Sequence, residues 1–253
     1  MDALYKVPLL IRCGNFFFRF RNAVFPLVLV PAILFVTPAF PDKTVMMDRW
    51  LDIPILAIGV LGEALRVLVV GYAYVKRGGV DKRIYAESLV TRGVFGHSRN
   101  PLYVGNGLII LSLLLMADSL WGYVLAVPFF VFAYVSIIAA EEQFLRRKFG
   151  PGFDDYCRRV NRWFPNFSGF RQSIEGMRFD WRRVVVKEYS SVFSWILGIL
   201  AIEANETLWA PDIGAHAGFL AFLSATLVVA LVAFFLARYY KKSGAFQRAG
   251  AGR

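Results

Sequence analysis

Long apolar runs separated by short polar intervals dominate this chain. A helix needs about 20 apolar residues to cross a hydrocarbon core roughly 30 Å thick. Six runs qualify: about 22–40, 53–75, 101–117, 120–140, 190–206 and 213–237. Pro26, Pro31 and Pro38 predict a kinked first helix. The third and fourth runs are joined by the polar turn Asp118-Ser119, and Glu203 and Glu206 interrupt the fifth. Ahead of the first run, Arg12, Arg19 and Arg21 interleave with Phe16, Phe17, Phe18 and Phe20. This predicts an amphipathic interfacial lead-in rather than a cleavable signal, because no small-residue cleavage site closes the following run. Trp181 to Lys187 reads as an amphipathic segment at the lipid surface. The expected fold is an all-α membrane protein of six spans. It divides into a lead-in (1–21), a four-span core (22–166), and a linker with two extra helices and a basic tail (167–253), ending in a frayed stretch, Gly244 to Arg253.

Composition agrees: 57% of the chain is hydrophobic and only 19% charged, unlike a soluble domain with roughly 25% charged residues. The two cysteines, Cys13 and Cys157, stand in unrelated contexts and make neither a metal knuckle nor a redox pair. A net charge of +11 would suit nucleic acid, but its distribution argues otherwise. All but three of the 29 lysines and arginines fall before residue 22, in 76–100, in 141–190 or after 237; the exceptions are Lys43, Arg49 and Arg66. Basic loops collect on the cytoplasmic side of a bilayer. Six crossings put all four basic regions, and both termini, on that side. Dropping the fifth span would move Arg238, Lys241 and Lys242 across. The expected location is a bacterial inner membrane, with anionic headgroups rather than nucleic acid as the partner of the charge.

The third and fourth spans predict a hairpin. From Tyr103 to the turn is roughly 21 Å and from Gly122 to Glu141 roughly 28 Å at about 1.5 Å per residue, so the two ends meet. Into this hairpin runs Leu89-Val90-Thr91-Arg92-Gly93-Val94-Phe95-Gly96-His97-Ser98-Arg99-Asn100-Pro101-Leu102-Tyr103-Val104-Gly105. Pro101 fits a first helical turn and Asn100 an N-cap, with free N–H groups suited to an anion. Gly93 and Gly96 give the loop freedom for close backbone approach. Out of the hairpin run Glu141-Glu142, then Phe149-Gly150-Pro151-Gly152-Phe153-Asp154-Asp155-Tyr156 and Arg162-Trp163-Phe164-Pro165. Glu63 and Arg66 lie mid-span at i,i+3, where ionisable residues are costly.

These pieces, in this order and spacing, resemble the isoprenylcysteine carboxyl methyltransferase family, and membrane phospholipid N-methyltransferases share parts of the pattern. Gly62-Glu63-Ala64-Leu65-Arg66 resembles the family's Gly-x-x-Leu-Arg stretch, so the likeness covers about 55–166. It implies methyl transfer from S-adenosylmethionine at the membrane face to an amphiphilic, lipid-like acceptor drawn from the bilayer. Carried over, Leu89, Val90, Asn100, Tyr103, Gly105, Glu141 and Glu142 would contact the cofactor. Arg99, Glu141 and Arg66 are the candidate catalytic residues, and Tyr156 and Arg162 the candidates for substrate contact. No metal is implied. Two departures stand out: Asn100 occupies a position where His is commoner, and Val94-Phe95 replaces Pro-Tyr.

The chemistry fits that implication. A sulfonium methyl is already activated, so alignment is the main task. A carboxylate acceptor is ionised at neutral pH and needs an arginine to place it, whereas an amine must first lose a proton. Without His at position 100, a prenylcysteine-type carboxylate ranks ahead of a phospholipid amine. No glycine-rich dinucleotide fingerprint points to a soluble cofactor domain. Plainer readings stay open beside these: Glu142 paired with Arg146 at a solvated helix exit, of which at most one glutamate faces a site; Arg99 as a headgroup anchor; Glu63–Arg66 as a structural ion pair; His97 and His216 as loop and span-entry residues; inert thiols. A non-catalytic accessory or transport protein is the alternative of another class.

Overall fold

The computed structural model describes residues 8–35, 45–73, 81–208 and 216–243. Eight helices lie among them: α1 (Pro8–Leu34), α2 (Val45–Tyr72), α3 (Pro101–Met116), α4 (Val127–Phe149), α5 (Pro151–Arg159), α6 (Phe170–Ser173), α7 (Trp181–Leu208) and α8 (Ala217–Ser243). There is no strand among the described residues. Five helical stretches are long and apolar enough to cross a membrane: Pro8–Leu34, Trp50–Tyr72, Gly122–Phe149, Trp181–Leu208 and Ala217–Ser243. The third expected span, α3, is shorter at 16 residues, or about 24 Å. The protein is thus an all-α membrane protein with five full-length apolar helices and one shorter one.

Several boundaries differ from the apolar pattern. The lead-in and the first span form one helix, α1, which runs unbroken from Pro8 through Pro26 and Pro31. Two of its charges lie over aromatic rings: the Arg19 guanidinium is 5.3 Å from the Phe20 ring and that of Arg21 4.5 Å from the Phe18 ring. Such cation–π contacts let arginines ride on an apolar face. Trp181 to Lys187, expected at the lipid surface, forms the first turns of the spanning helix α7. Pro38 and the far end of the first run, the start of the sixth run at 213, residues 74–80 of the basic loop and the tail after Ser243 lie outside the described residues.

Packing is pairwise. α1 lies on α4, with Phe17 and Phe25 meeting Phe129, Phe130 and Tyr134 edge to face. Gly14 lets the two backbones touch, since a Cβ there would collide with the Ser136 carbonyl. α2 lies on α3 through another small-residue contact, the kind that drives helix association in lipid. A Cβ on Gly105 would stand 2.7 Å from Arg66 Cγ and 2.8 Å from the Gly62 carbonyl. The arms of the expected hairpin therefore pack mainly on α1 and α2 rather than on each other, and converge at one end. α7 covers α2 and α3, and α8 packs on α7 with most of its apolar surface exposed to the bilayer.

Two local devices shape α4. A π-helical turn, Gly122–Ala126, precedes it, closed by the Val127 N–H on the Gly122 carbonyl. At its other end Gly150, at φ +52°, makes the sharp turn into α5, a conformation open to glycine. Pro151 then starts α5, whose Phe153 and Tyr156 are buried.

Candidate functional site

Pro101 starts α3 and Gly150 ends the turn after α4, so Tyr103 and Glu141 both fall near helix ends on the same side of the bundle. The Tyr103 hydroxyl donates to Glu141 Oε1 at 2.7 Å, and the Tyr103 ring lies 5.5 Å from that of Tyr134. Arg21 of α1 is close enough to act electrostatically on this pair. Glu142, next along the helix, points elsewhere. Arg162 grips it in bidentate fashion, Nε to Oε1 at 3.0 Å and a terminal nitrogen to Oε2 at 2.5 Å. Arg99 approaches the same carboxylate at 3.6 Å. All three side chains are buried, and Arg99 Nε has no hydrogen-bond partner. Two guanidiniums thus share one carboxylate. Both glutamates are engaged, on different sides of α4, as the ~100° offset of helix neighbours requires. The simpler expectation for Glu142 fails: Arg146 pairs with Asp154 at 2.6 Å instead.

The loop before α3 is held by the chain that follows α5. Arg99 N–H donates to the Asn161 carbonyl at 2.9 Å, Asn166 N–H to that of His97 at 3.0 Å, and Tyr156 Oη to that of Phe95 at 2.7 Å. His97 is consumed here, bonded to the Asn166 carbonyl and to Ser173 Oγ and stacked on Phe167. Asn100 holds the N-cap position, but its side chain donates to the Arg162 carbonyl at 3.2 Å rather than capping α3. At that helix start the Tyr103 and Val104 N–H groups both go to the Asn100 carbonyl and Pro101 has none, so of the first-turn groups these are not offered to an anion. Gly93 adopts φ +63°; Gly96 does not take a positive φ. Burial raises the Tyr156 phenol well above its ordinary range, and burial likewise raises the Cys157 thiol, with Arg99 opposing. Leu89 and Val90 are half-buried in the segment that Lys148 ties to the end of α4 through the Ala86 carbonyl.

Deeper along α2 lies a second polar cluster. Arg66 donates to Glu188 of α7, from Nε at 3.1 Å and from a terminal nitrogen at 2.6 Å. Its other terminal nitrogen bonds Asn106 of α3, and Glu63 stands 3.6 Å away. Ser191 donates to Glu63 at 3.2 Å. Arg66, expected to contact substrate or cofactor, thus has every guanidinium nitrogen taken by protein. Gly105, expected at the cofactor, is filled by the α2 contact described above. Glu188, Ser191 and Asn106 are absent from the sequence-based site. The available signal was spacing: Glu188, Ser191 and Trp195 form an i, i+3, i+7 polar stripe on an apolar helix, and Asn106 sits one turn after Tyr103. Among the described residues no group of three His, Cys, Asp or Glu side chains is placed to hold a metal ion.

The fold and this end of the bundle define a class: an all-α membrane protein with a polar, carboxylate-and-arginine cluster where two helices converge. Residues 57–152 match the family model described as phospholipid methyltransferase, in agreement with the resemblance read from 55–166. That stretch holds Arg66, Arg99, Asn100, Tyr103, Glu141 and Glu142, whereas Tyr156, Arg162 and Glu188 lie beyond it. Among curated proteins, the chain is 33% identical over 124 residues to the nickel-cobalt-cadmium resistance protein NccN of Alcaligenes xylosoxydans xylosoxydans, covering 49% of this chain and 56% of that one. It is also 33% identical over 122 residues to the cobalt-zinc-cadmium resistance protein CzcN of Cupriavidus metallidurans, covering 48% and 54%. The chain spans little more than half the length of these relatives. No solved structure matches it significantly.

Proposed function

We propose that this protein is an integral membrane methyltransferase that uses S-adenosylmethionine from the cytoplasm and methylates a lipid-like amphiphile from the bilayer. The observation that carries the reading is the Tyr103–Glu141 hydrogen bond joining α3 to α4 within the family-matched stretch. The residues present suit such a cofactor. Glu141 offers a carboxylate to its ammonium, ribose hydroxyls or sulfonium region; the Tyr103 and Tyr134 rings offer aromatic faces to a cation; Arg99 Nε is a buried donor in want of an acceptor. When bound, the cofactor supplies an already activated methyl group. The chain's part is alignment and exclusion of water.

In this reading Tyr103 fixes the orientation of Glu141, and Arg99 places the acceptor, its guanidinium steadied by Glu142. Arg162 and Asn100 anchor that arrangement, Leu89, Val90 and Tyr156 wall it, and Arg66 acts from behind as a positioning residue. The acceptor we put first is a prenylcysteine-type carboxylate, because an arginine with a free donor direction suits an anion that needs no base. A phospholipid amine is the second reading, favoured by the description of the matched family. Glu141 would then take the amine proton. The relatives' names place them in resistance to nickel, cobalt, zinc and cadmium. In that setting this chain would act by methylating a membrane component rather than by ligating the ion. The basic regions orient both termini and the Tyr103–Glu141 end toward the cytoplasm.

The test is calorimetric titration of the purified protein with S-adenosylmethionine, then incubation of membranes with methyl-labelled cofactor. Saturable binding with label in the lipid extract is expected. Label released as methanol by alkali identifies an ester, and alkali-stable label an amine. No binding and no labelled lipid would overturn the proposal.

A further inference from the structure

Arg66 sits on α2 among apolar helices, where a lone guanidinium is expensive. Its strongest partner comes from α7, a helix outside the family-matched stretch. Glu188 is 2% exposed and accepts from two nitrogens of the same guanidinium. From there the contacts lead toward the Tyr103–Glu141 pair. Arg66 bonds Asn106 of α3, which lies one turn after Tyr103 on the same helix. The ring of Tyr134 lies against that of Tyr103, whose hydroxyl holds Glu141. The chain of contacts thus starts on α7 and ends at the proposed cofactor carboxylate.

Two further bonds clamp α7 on the same face. Ser191, one turn after Glu188, holds Glu63, and Trp195 Nε1 donates to Ser112 Oγ of α3 at 3.3 Å. The stripe therefore meets both helices that flank the Gly62–Gly105 crossing. That crossing tolerates no slack, because the Arg66 stem itself fills the space beside Gly105. Any shift of the guanidinium moves α3 and the tyrosine at its start.

We infer that Glu188 is a positioning residue for methyl transfer, which makes α7 part of the methyltransferase unit rather than an appended membrane anchor. The inference rests on the function proposed above. Glu188 touches neither the proposed cofactor nor the acceptor. It acts through Arg66 and Asn106, and so through α3, on the geometry of the Tyr103–Glu141 pair.

The experiment uses the full chain in detergent or nanodiscs and compares wild type, Glu188→Gln, Glu188→Asp and Leu200→Ala. Leu200 is a buried residue of α7 away from the polar stripe, so its truncation loosens the helix without touching Arg66. For each, kcat, KM for the acceptor, Kd for S-adenosylmethionine and the thermal midpoint are measured. Glu188→Gln is expected to lower kcat about tenfold to a hundredfold, the scale of a small misalignment, with Kd and KM changed less than about threefold. Glu188→Asp, which keeps the charge, should recover most of kcat, and Leu200→Ala should lower the thermal midpoint with kcat retained. A folded Glu188→Gln protein with wild-type kcat overturns the inference. So does a Leu200→Ala variant that loses as much kcat as Glu188→Gln at an equal drop in midpoint. If wild type itself neither binds the cofactor nor turns over, the proposed function fails and the inference falls with it; wild-type turnover separates the two failures.

Discussion

The Tyr103 hydroxyl reaches Glu141 across 2.7 Å, and the bond joins two helices whose main neighbours are different. The hydroxyl oxygen is thus a direct polar tie between the converging ends of α3 and α4. Tyr103→Phe removes the donor and nothing else, and should cut methyl transfer about tenfold to a hundredfold. Glu141→Gln keeps an acceptor for Tyr103 but loses the charge, so its larger effect should be on the Kd for S-adenosylmethionine. Radiolabel transfer to lipid and calorimetry distinguish the two. Wild-type behaviour of both folded variants would remove the pair from the site.

Arg162 and Glu142 form a buried bidentate pair that tethers the segment after α5 to α4. Breaking a buried pair costs about 3–5 kcal/mol where the remaining charge is left uncompensated, and Arg99, 3.6 Å from the same carboxylate, offsets part of that here. Arg162→Ala should therefore lower the thermal midpoint sharply. Arg162→Lys should fall between, since an ammonium supplies charge without the planar fork. Equal midpoints for Arg162→Ala and wild type would show that Glu142 is not charged and paired as described.

The α2–α3 crossing has no room for a methyl group at Gly105. Gly105→Ala pushes on the Arg66 stem and the Gly62 carbonyl, a strain of about 1–3 kcal/mol. A lower midpoint and lower turnover together are expected, whereas Gly107→Ala, where a Cβ meets open space within the helix, should leave the midpoint unchanged or slightly raised. Matching melting curves for the two variants would contradict the crossing.

Asp180 caps α7: its Oδ1 accepts the Arg183 N–H at 2.9 Å. That bond, with the Arg183 charge, holds the carboxyl below its ordinary range against partial desolvation. Because the folded value is depressed, the cap's contribution is complete above the ordinary aspartate range and is lost as pH falls through the folded value. Asp180→Ala should cost about 0.5–2 kcal/mol at neutral pH. Asp180→Asn should retain most of that and flatten the acid dependence. Thermal midpoints measured from neutral pH down to about pH 3 check both; a wild-type slope in Asp180→Asn excludes this carboxyl as its source.

What could be read from the chain followed the physics of each signal. Apolar runs of membrane length located the spans, and arm lengths brought Tyr103 and Glu141 together, because both are local counts with a fixed rise per residue. At the start of α1 the interleaving of Arg19 and Arg21 with phenylalanines is legible, but which ring each guanidinium meets, Phe20 and Phe18, is not. The fate of Asn100 was equally hidden, since its partner is a carbonyl contributed by Arg162. Glu188 was out of reach for the same reason. It is 122 positions from Arg66, and a polar stripe on a helix does not say which neighbour it meets.

The widened turn at Gly122–Ala126 has a consequence for length variation along α4. A π turn absorbs one additional residue while leaving the helix on either side aimed as before. A chain one residue shorter within that turn would wind as ordinary α-helix and still deliver both carboxylates with their present bearings. The same deletion between 131 and 140 would swing each by about 100°, sending Glu141 off Tyr103 and Glu142 off Arg162. The loss of one residue is thus tolerated at the head of this helix and forbidden along its shaft.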